Sequence, residues 1–256
     1  MLTIAIATLS RNLKPTMDKV KELAGIFDDV NFFIVSQGEC VNKKQVYDNI
    51  TILKSTSMGL SKSRNIAIDY VLDGFLWFQD DDIALNCSVI DDMCLELSNV
   101  NSDVFFVRIG ALEDKSRHYK SYKHYNSGFN YFNFLKVSSI EIVVKVSFIN
   151  SNCIYFDEKF GLGTDLPCCE ESKFILDCLK NDCAIYYSSL TPCYHTTLLE
   201  TRNIDYKSNL FAKGCFLRCL PLFLAIPIML RWAFIIPTNF GFFSNLMLLF
   251  KGFKFK

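Results

Sequence analysis

The sequence predicts an α/β protein with a mostly parallel central sheet and helices on its faces. Short runs rich in β-branched and aromatic residues, such as 3–8, 31–36 and 75–79, are typical of buried strands. Between them, apolar residues recur every three or four positions, as on one face of a helix. Strand and helix alternate with short links, and this order is typical of the α/β class.

The individual elements follow from local patterns in chain order. Residues 14–27 carry apolar side chains at helical spacing, and Asp73-Gly74 ends a second helix over 61–72. The stretch 117–136 is rich in Tyr, Asn, His and Lys without a clear period, so we expect a loop or irregular insertion over the site. The other predicted strands are 50–54, 103–109, 140–148 and 184–188, and the other predicted helices are 88–97 and 170–179.

Composition excludes several classes of protein. Half of the 256 residues are apolar, and 27 basic residues balance 27 acidic ones. A disordered chain would need low hydrophobicity and high net charge, and a nucleic-acid binder would normally show a basic domain. The 11 cysteines are scattered through apolar stretches, and the adjacent pair Cys168-Cys169 is poorly placed for a disulfide or a zinc site. We therefore expect reduced thiols in a cytoplasmic protein, since residues 1–8 also lack the basic residue and cleavage site of a signal peptide.

Charge divides the chain into two parts. The last acidic residue is Asp205, and seven basic residues follow it. Two apolar runs follow Asp205. The run 219–230 is too short for a spanning helix, and the run 232–250 is interrupted by proline, glycine and polar residues. They predict a pair of interfacial helices lying in one leaflet, with Trp232 and the lysines near the headgroups. A single membrane span and a buried core element remain as alternatives. The predicted division is residues 1–208 as an α/β domain and residues 209–256 as a basic, membrane-associated tail.

Three consecutive aspartates, Asp80, Asp81 and Asp82, directly follow the most apolar predicted strand. Ligands bind at the carboxyl ends of strands in open α/β sheets, and carboxylates suit Mg²⁺ or Mn²⁺. The alternative is a solvated acidic turn before the next helix. Arg64, on the preceding helix, can bind a diphosphate bidentately or form a purely structural bridge to the aspartates.

Several segments resemble the motifs of a known enzyme family. Residues 59–68 (GLSKSRNIAI) and 75–83 (FLWFQDDDI) are similar to its GLSxARNxxI and FLDDDD segments. Residues 156–163 (FDEKFGLG) match its FDExFGLG, and Cys169-Glu170-Glu171 follows where it has Gly-Glu-Asp or Gly-Glu-Glu. These segments resemble family 2 glycosyltransferases, which have the GT-A fold, a Rossmann-like α/β fold, and the resemblance covers about residues 3–200. Residues 7–11 (ATLSR) and 35–38 (VSQG) stand where the family has PTYNR and VDDGS, so the usual base-reading aspartate is replaced by Ser36 or Gln37.

The resemblance implies a set of site residues. Glu171 would be the general base that accepts the proton of the acceptor hydroxyl, and Glu170 is the fallback for that role. A divalent cation, Mn²⁺ or Mg²⁺, would be held by Asp82 first, with Asp80 and His195 as further ligands. The residues implied in donor binding are Thr8, Ser10, Arg11, Gln37, Arg64, Asp80 and Asp81. On its own, a pair of acids at a helix start could merely complement the helix dipole.

The function implied is sugar transfer from a nucleotide-sugar donor to an acceptor hydroxyl, with inversion and metal dependence. By family likeness, this is bacterial cell-surface polysaccharide synthesis: capsule, O-antigen or exopolysaccharide. The tail and the reduced cysteines place the protein on the cytoplasmic face of the plasma membrane, with a lipid-linked saccharide as acceptor and no nucleic-acid partner. Two alternatives are a sugar nucleotidyltransferase-like enzyme and a catalytically silent, membrane-associated binding protein of the same fold.

Overall fold

A computed structural model describes residues 1–82, 84–122, 134–197 and 205–255. Its strands are β1 (Leu2–Leu9), β2 (Val30–Gln37), β3 (Lys43–Tyr47), β4 (Ile50–Ser55), β5 (Phe75–Asp80), β6 (Ala84–Leu85), β7 (Val104–Phe106), β8 (Ile109–Ala111), β9 (Ile142–Lys145), β10 (Ile185–Tyr187) and β11 (Cys193–His195). Its helices are α1 (Leu13–Ala24), α2 (Leu60–Tyr70), α3 (Cys87–Asn99), α4 (Val146–Ser151), α5 (Glu170–Lys180), α6 (Tyr206–Leu217), α7 (Leu222–Ile235) and α8 (Gly241–Lys254).

The main sheet has the strand order β10-β7-β9-β5-β1-β2-β4-β3. Strands β5, β1, β2 and β4 are parallel neighbours, and they correspond to the four runs that the sequence predicts first. At one side β9 runs antiparallel between β5 and β7, and at the other edge β3 runs antiparallel to β4. A small second sheet, β6-β11-β8, lies beside the carboxyl end of β5. The carboxyl ends of β1, β2 and β5 therefore lie side by side at one edge.

Two apolar layers cover the faces of the main sheet. Alternation within β2 sends Phe32 and Ile34 to one layer and Phe33 and Val35 to the other, as expected for a strand buried on both faces. The first layer contains α1 and α3. The second contains α2, α4, α5 and the three C-terminal helices. The architecture is a three-layer α/β arrangement, which agrees with the predicted class.

Three sequence predictions need correction in detail. The predicted strand 103–109 is two strands, β7 and β8, which belong to different sheets. The predicted strand 140–148 is the short β9 followed at once by α4. Strand β3 was missed because it is an exposed edge strand with a polar sequence, so it has no apolar run to mark it. Of the predicted loop 117–136, residues 123–133 lie outside the described residues, and residues 134–136 form a short 3₁₀ helix.

The C-terminal segment folds as three helices where the sequence predicted a pair. The predicted boundary after Ser208 falls inside α6, whose Leu210, Phe216 and Leu217 are fully buried in the core layer that covers the sheet. Part of the tail is therefore core, which was the alternative reading of the sequence. Among the described residues, no helix has both the length and the hydropathy needed to cross a bilayer.

Helices α6 and α8 cross with their backbones in contact at two glycines. A Cβ at Gly214 would lie 2.1 Å from the carbonyl oxygen of Leu249, and a Cβ at Gly252 would lie 2.1 Å from that of Phe211. Neither neighbour is a flexible side chain, so any larger residue must push the helices apart. The close approach fixes how α8 lies on the rest of the core.

We expect Gly214→Ala and Gly252→Ala each to destabilise the protein by about 1–3 kcal/mol, because overpacking forces a backbone shift. Urea unfolding followed by circular dichroism measures this loss. Gly25→Ala is the matched control, since its Cβ would meet only ordinary contacts at 3.7 Å. Equal unfolding free energies for all three variants would contradict the close backbone contact between α6 and α8.

Candidate active site

An open cavity of about 390 Å³ lies at the carboxyl ends of β1, β2 and β5. Strand register brings Ala7 beside Asp80 and Leu9 beside Gln37, so the loops that follow these strands share one rim. The polar lining includes Thr8, Asn12, Gln37, Asp80, Asp81, Asp82 and His195. A second cavity of equal volume lies at the opposite edge, beside Met1 and Asp29, away from the clustered carboxylates.

Arg64 of α2 joins the two groups of predicted site carboxylates. One nitrogen, Nη2, donates to Ser139 Oγ at 2.6 Å and lies 3.5 Å from Asp80 Oδ1. The other, Nη1, lies 3.7 Å from Glu170 Oε1 and 3.8 Å from Glu171 Oε1. The guanidinium also packs over the Phe156 ring, and the side chain is only 3% exposed. This is the geometry of the structural bridge, one of the two alternatives for Arg64.

The two adjacent glutamates differ in exposure. The Glu170 side chain is 6% exposed, whereas that of Glu171 is 19% exposed. Burial, reinforced by the charge of Glu171 and opposed by Arg64, raises the pKa of Glu170 to about 8. Glu170 Oε2 and Arg64 Nε have no hydrogen-bond partner among the described residues. Near neutral pH Glu170 is therefore protonated, and Glu171 is the more accessible carboxyl.

Asp81 ties the loop after β1 to the loop after β5. Its Oδ2 accepts hydrogen bonds from Thr8 Oγ1 at 2.6 Å and from Asn12 Nδ2 at 3.1 Å. Thr8 Oγ1 also lies 3.3 Å from Thr16 Oγ1. Thr8 and Asp81, both implied in donor binding, thus bond to each other across adjacent parallel strands. Their contacts order the rim on which the other polar groups stand.

His195 lies at the end of β11 and faces Asp82. Its Nε2 is 3.6 Å from Asp82 Oδ2, and its Nδ1 lies 2.8 Å from the carbonyl oxygen of Thr196. That contact makes Nδ1 the N–H donor and leaves Nε2 for Asp82. Hydrogen bonding to Asp82 raises the pKa of His195. His195 comes after the last predicted strand, 184–188, and belongs to a further strand that the sequence did not predict.

Asp80 and Asp82 stand near each other at the base of the cavity. Desolvation first, and then the charges of Asp82 and Glu171, raise the pKa of Asp80 against the opposing effect of Arg64. More than a third of its side chain remains exposed, so solvent tempers this effect. No set of three acidic, cysteine or histidine side chains within the described ranges is gathered closely enough to hold a metal ion.

Gln37 at the end of β2 is engaged with the protein backbone. Its Oε1 accepts a hydrogen bond from the Gly59 N–H at 2.8 Å. Gly59 has φ of 127°, a conformation that favours glycine, and it is the residue from which α2 starts. Gln37 therefore supports the start of α2 while still lining the cavity. Ser10 and Arg11, also implied in donor binding, are exposed in the turn after β1.

The two most distinctive segments of the sequence pack against each other. Ser61 Oγ donates to the carbonyl oxygen of Phe160 at 2.6 Å. Asn65 binds both backbone groups of Phe156, at 2.8 and 2.9 Å. At Gly161, with φ of 109°, a Cβ would meet Ser61 Oγ at 2.9 Å. Helix α2 thus holds residues 156–161, and through them the start of α5, in position.

Sequence reasoning missed four residues of the site. Ser139 accepts a hydrogen bond from Arg64, Asn12 donates one to Asp81, and the charge of Lys19 on α1 acts on Asp81 and Asp82. Burial lowers the pKa of Lys19, whereas the charges of those two carboxylates act to raise it. Lys213 of α6 acts electrostatically on Glu170 and Glu171. A signal existed only for Lys19, which follows Thr16 by three positions and precedes Val20 on the face of α1 that packs toward the sheet.

The fold is GT-A-like, the fold of glycosyltransferases. No protein-family model and no curated protein matches the chain. Among solved structures, TarS 1-349 of S. aureus matches over 99% of this chain and 71% of that one, with a TM-score of 0.61 and 14% sequence identity. The same protein in complex with UDP-GlcNAc also gives 0.61, at 15% identity over 99% of this chain and 72% of that one.

A second relative in fold is a mannosyltransferase of Pyrobaculum calidifontis, determined in complex with GDP-Man and Mn²⁺. It matches over 85% of this chain and 61% of that one, with a TM-score of 0.52 and 10% identity. Full-length TarS is considerably longer, since the chain spans 44% of it. At these identities the likeness establishes the fold.

The raised pKa of Glu170 predicts a pH-dependent stability. The folded protein keeps a proton on Glu170 that the unfolded chain loses above pH 4.5, so stability falls as pH rises from about 4.5 to about 8. We expect Glu170→Gln to match the wild type near pH 5 and to be more stable at pH 9 by about 4 kcal/mol. Urea unfolding at both pH values measures the difference.

Glu22→Gln is the control, because Glu22 is exposed on α1. It should leave the dependence on pH unchanged. Parallel stability profiles for the wild type and Glu170→Gln would mean that Glu170 is ionised in the folded protein.

Proposed function

We propose that the protein is a glycosyltransferase that moves a sugar from a nucleoside-diphosphate sugar to an acceptor hydroxyl. The observation that carries the proposal is the arrangement around Arg64. Its guanidinium lies beside both Asp80, which lines the cavity at the carboxyl ends of the parallel strands, and Glu171, at the start of α5. Both fold relatives were determined with sugar nucleotides, which supports a donor of this class.

Glu171 is the proposed general base. Attack by a hydroxyl on the anomeric carbon requires that its proton be removed as the new bond forms. Glu171 lies 3.8 Å from Arg64 and is more exposed than Glu170, which is protonated near neutral pH. Direct displacement of the nucleoside diphosphate would invert the configuration of the transferred sugar. The buried guanidinium of Arg64, 3.8 Å from the Glu171 carboxylate, would hold the base in position.

The oxygen and nitrogen donors at the cavity base fit a divalent cation of the Mg²⁺ or Mn²⁺ type. These ions take one or two protein carboxylates together with waters and substrate phosphates, so they need no closed cage of side chains. Asp82 would bind first, with His195 Nε2 at 3.6 Å from its carboxylate and Asp80 beside it. The bound cation would neutralise charge on the departing diphosphate.

Two other classes predict different behaviour at this site. A nucleotidyltransferase would want a glycine-rich, basic loop after the first strand, whereas the loop here is the short Ser10–Asn12 turn. A catalytically silent protein would bind nucleotide sugar without turning it over. The hydrogen bond between Gln37 and the Gly59 backbone is the one observation that favours the silent class. In the family that the sequence resembles, the residue at this position binds the nucleotide base.

The C-terminal helices supply an apolar surface for membrane association. Large apolar side chains of α7 and α8 are exposed along one groove of about 630 Å³, among them Leu222, Ile226, Leu230, Phe243, Met247 and Phe250. Phe234 and Phe243 are 80% and 83% exposed. Exposed basic residues accompany them without a single acid after Asp205: Lys207, Arg218, Arg231, Lys251 and Lys254. This combination fits the anionic cytoplasmic face of a bilayer.

This surface connects to the site through α6. Lys213 lies 4.8 Å from the centre of the Trp232 ring on α7, and its charge acts on Glu170 and Glu171. A membrane-held acceptor would therefore meet the cavity close to the bilayer. We propose a lipid-linked saccharide of bacterial surface polysaccharide synthesis as that acceptor, with the enzyme peripheral on the inner face of the plasma membrane.

A panel of nucleotide sugars with and without Mn²⁺ tests the proposed activity. In the presence of Mn²⁺ we expect calorimetry to detect binding of one donor. We also expect that donor to be hydrolysed slowly. Asp82→Asn should weaken both, whereas Glu171→Gln should keep donor binding and lower turnover by about 10²–10⁴-fold, the usual worth of a general base.

Glu158→Gln is the control, because Glu158 is an exposed acid of the adjacent FDEKFGLG segment and is not one of the three acids around Arg64. Binding without turnover would favour the silent class, and release of sugar 1-phosphate would favour nucleotidyl transfer. Full turnover by Glu171→Gln would place the base elsewhere.

The apolar surface predicts a vesicle-binding defect. We expect Phe234→Ser and Phe243→Ser each to weaken binding to phosphatidylglycerol-containing vesicles by about tenfold, since burying a phenylalanine contributes about 1.5–3 kcal/mol. Co-sedimentation measures the partition.

Leu72→Ser is the matched control, because Leu72 is 82% exposed and follows α2, outside the C-terminal helices. It should bind vesicles as the wild type does. If all three variants bind equally, the C-terminal helices are not the membrane contact.

A further inference from the structure

Two adjacent thiols stand at the start of the helix that carries Glu170 and Glu171. Cys169 is the N-cap residue of α5, in a left-handed conformation with φ of 79°. Its Sγ lies 3.7 Å from the Sγ of Cys168, which in turn lies 3.6 Å from the carbonyl oxygen of Asn209 on α6. Cys169 is buried and Cys168 is partly exposed. The pair therefore offers one thiol that solvent reaches and a second one behind it.

A cation acts on both thiols of this pair. Lys213 acts electrostatically on both sulfur atoms. The hydrogen bond from Cys169 and the charge of Lys213 lower the pKa of the Cys168 thiol, whereas the pKa of Cys169 is raised well above its usual range. Burial instead raises the pKa of Cys178 and Cys193. Cys168 is thus the more nucleophilic thiol at neutral pH, because the thiolate is the reactive form.

We propose that Cys168 and Cys169 form a reversible disulfide, making the N-terminus of α5 an oxidation-sensitive site. With hydrogen peroxide as oxidant, the Cys168 thiolate attacks one peroxide oxygen, giving a sulfenic acid, and the other oxygen leaves as water after protonation. The Cys169 sulfur then attacks the Cys168 sulfur, and the hydroxyl leaves as a second water. Two thiols are oxidised and one peroxide is reduced to two waters.

The adjacency of the two residues makes this bond labile. Consecutive Cα atoms are about 3.8 Å apart across a trans peptide bond, whereas disulfides usually join Cα atoms about 4.4–6.8 Å apart. A bond formed below that range is strained, and strained disulfides are the readily reduced, regulatory ones. The poor disulfide geometry that the sequence indicates thus argues against a structural staple and is compatible with a reversible one. Reversible disulfides are the kind expected in a reducing compartment.

Closure of the ring must disturb the first turn of α5. The sulfur atoms have to approach from 3.7 Å to about 2.05 Å, so both side chains must rotate at the N-cap. The carbonyl oxygen of Cys169 accepts the first helical hydrogen bond, from Lys173 N–H at 2.9 Å. The same turn holds Glu170 and Glu171 against Arg64. Oxidation would therefore loosen the carboxylates from Arg64, and this effect on activity rests on the proposed function.

The test uses the full chain, reduced and then treated with hydrogen peroxide. Trypsin releases residues 160–173 as one peptide that contains both cysteines and no other. We expect this peptide to lose the mass of two hydrogens and to regain it with dithiothreitol. Amide hydrogen exchange in residues 170–174 should be on the order of tenfold faster in the oxidised protein, because the first turn opens more often.

Cys168→Ser should show neither the mass change nor the faster exchange, whereas Cys40→Ser, at an exposed cysteine, should show both. The proposal is overturned if the peptide keeps two free thiols while Cys40 and Cys153 are oxidised, or if Cys168 passes to sulfinic acid without a disulfide. A disulfide with unchanged exchange would overturn the effect on α5. Donor turnover, measured separately, should fall on oxidation in the wild type and in Cys40→Ser but not in Cys168→Ser. If turnover does not fall, the result counts against the proposed function without affecting the disulfide.

Discussion

The structure of the site depends on one buried cation. A guanidinium that is almost wholly removed from water is costly unless carboxylates or other acceptors surround it. Arg64 meets this requirement with Asp80, Glu170, Glu171 and Ser139, which come from three separate parts of the chain. Folding around Arg64 therefore assembles the end of β5 and the start of α5 into one site. The polar residues on either side of it on α2, Ser61 and Asn65, fasten the segment that leads to α5.

One guanidinium does not balance so many carboxyl groups. The imbalance is relieved by protonation of the most buried one, Glu170, whose pKa rises to about 8. Other groups act from the periphery: His195 faces Asp82, and the charges of Lys19 and Lys213 act on the aspartates and the glutamates respectively. The two neighbours therefore differ, since Glu170 is buried and Glu171 is more exposed. A surplus of negative charge at the cavity base also favours a cation there.

The C-terminal helices belong to the same core as the sheet and yet keep an apolar outer face. Their inner residues pack with α2 and α5, and the glycine crossing of α6 and α8 fixes their arrangement. Their outer residues include large aromatic side chains that are mostly exposed. Soluble surfaces rarely carry such a contiguous apolar patch, so the face calls for a partner. Because α6 also carries Lys213 and contacts Cys168 through Asn209, the same helix lies between that face and the site.

The sequence alone determined the α/β class, the four parallel strands of the centre and the helices between them. A strand that is buried on both faces has a continuous apolar run, and a helix that is buried on one face has apolar residues at every third or fourth position. It also indicated Asp80, Asp82, Glu171, Arg64 and His195, through motifs whose order along the chain is specific. Only the tertiary structure decided the partners: β9 between β5 and β7, Asp81 with Thr8, Gln37 with Gly59, and Arg64 as a bridge. Such contacts join residues distant in sequence, and no local pattern encodes them. For the same reason the sequence predicted two surface helices in the tail. The structure has three helices there, and their inner faces are part of the core.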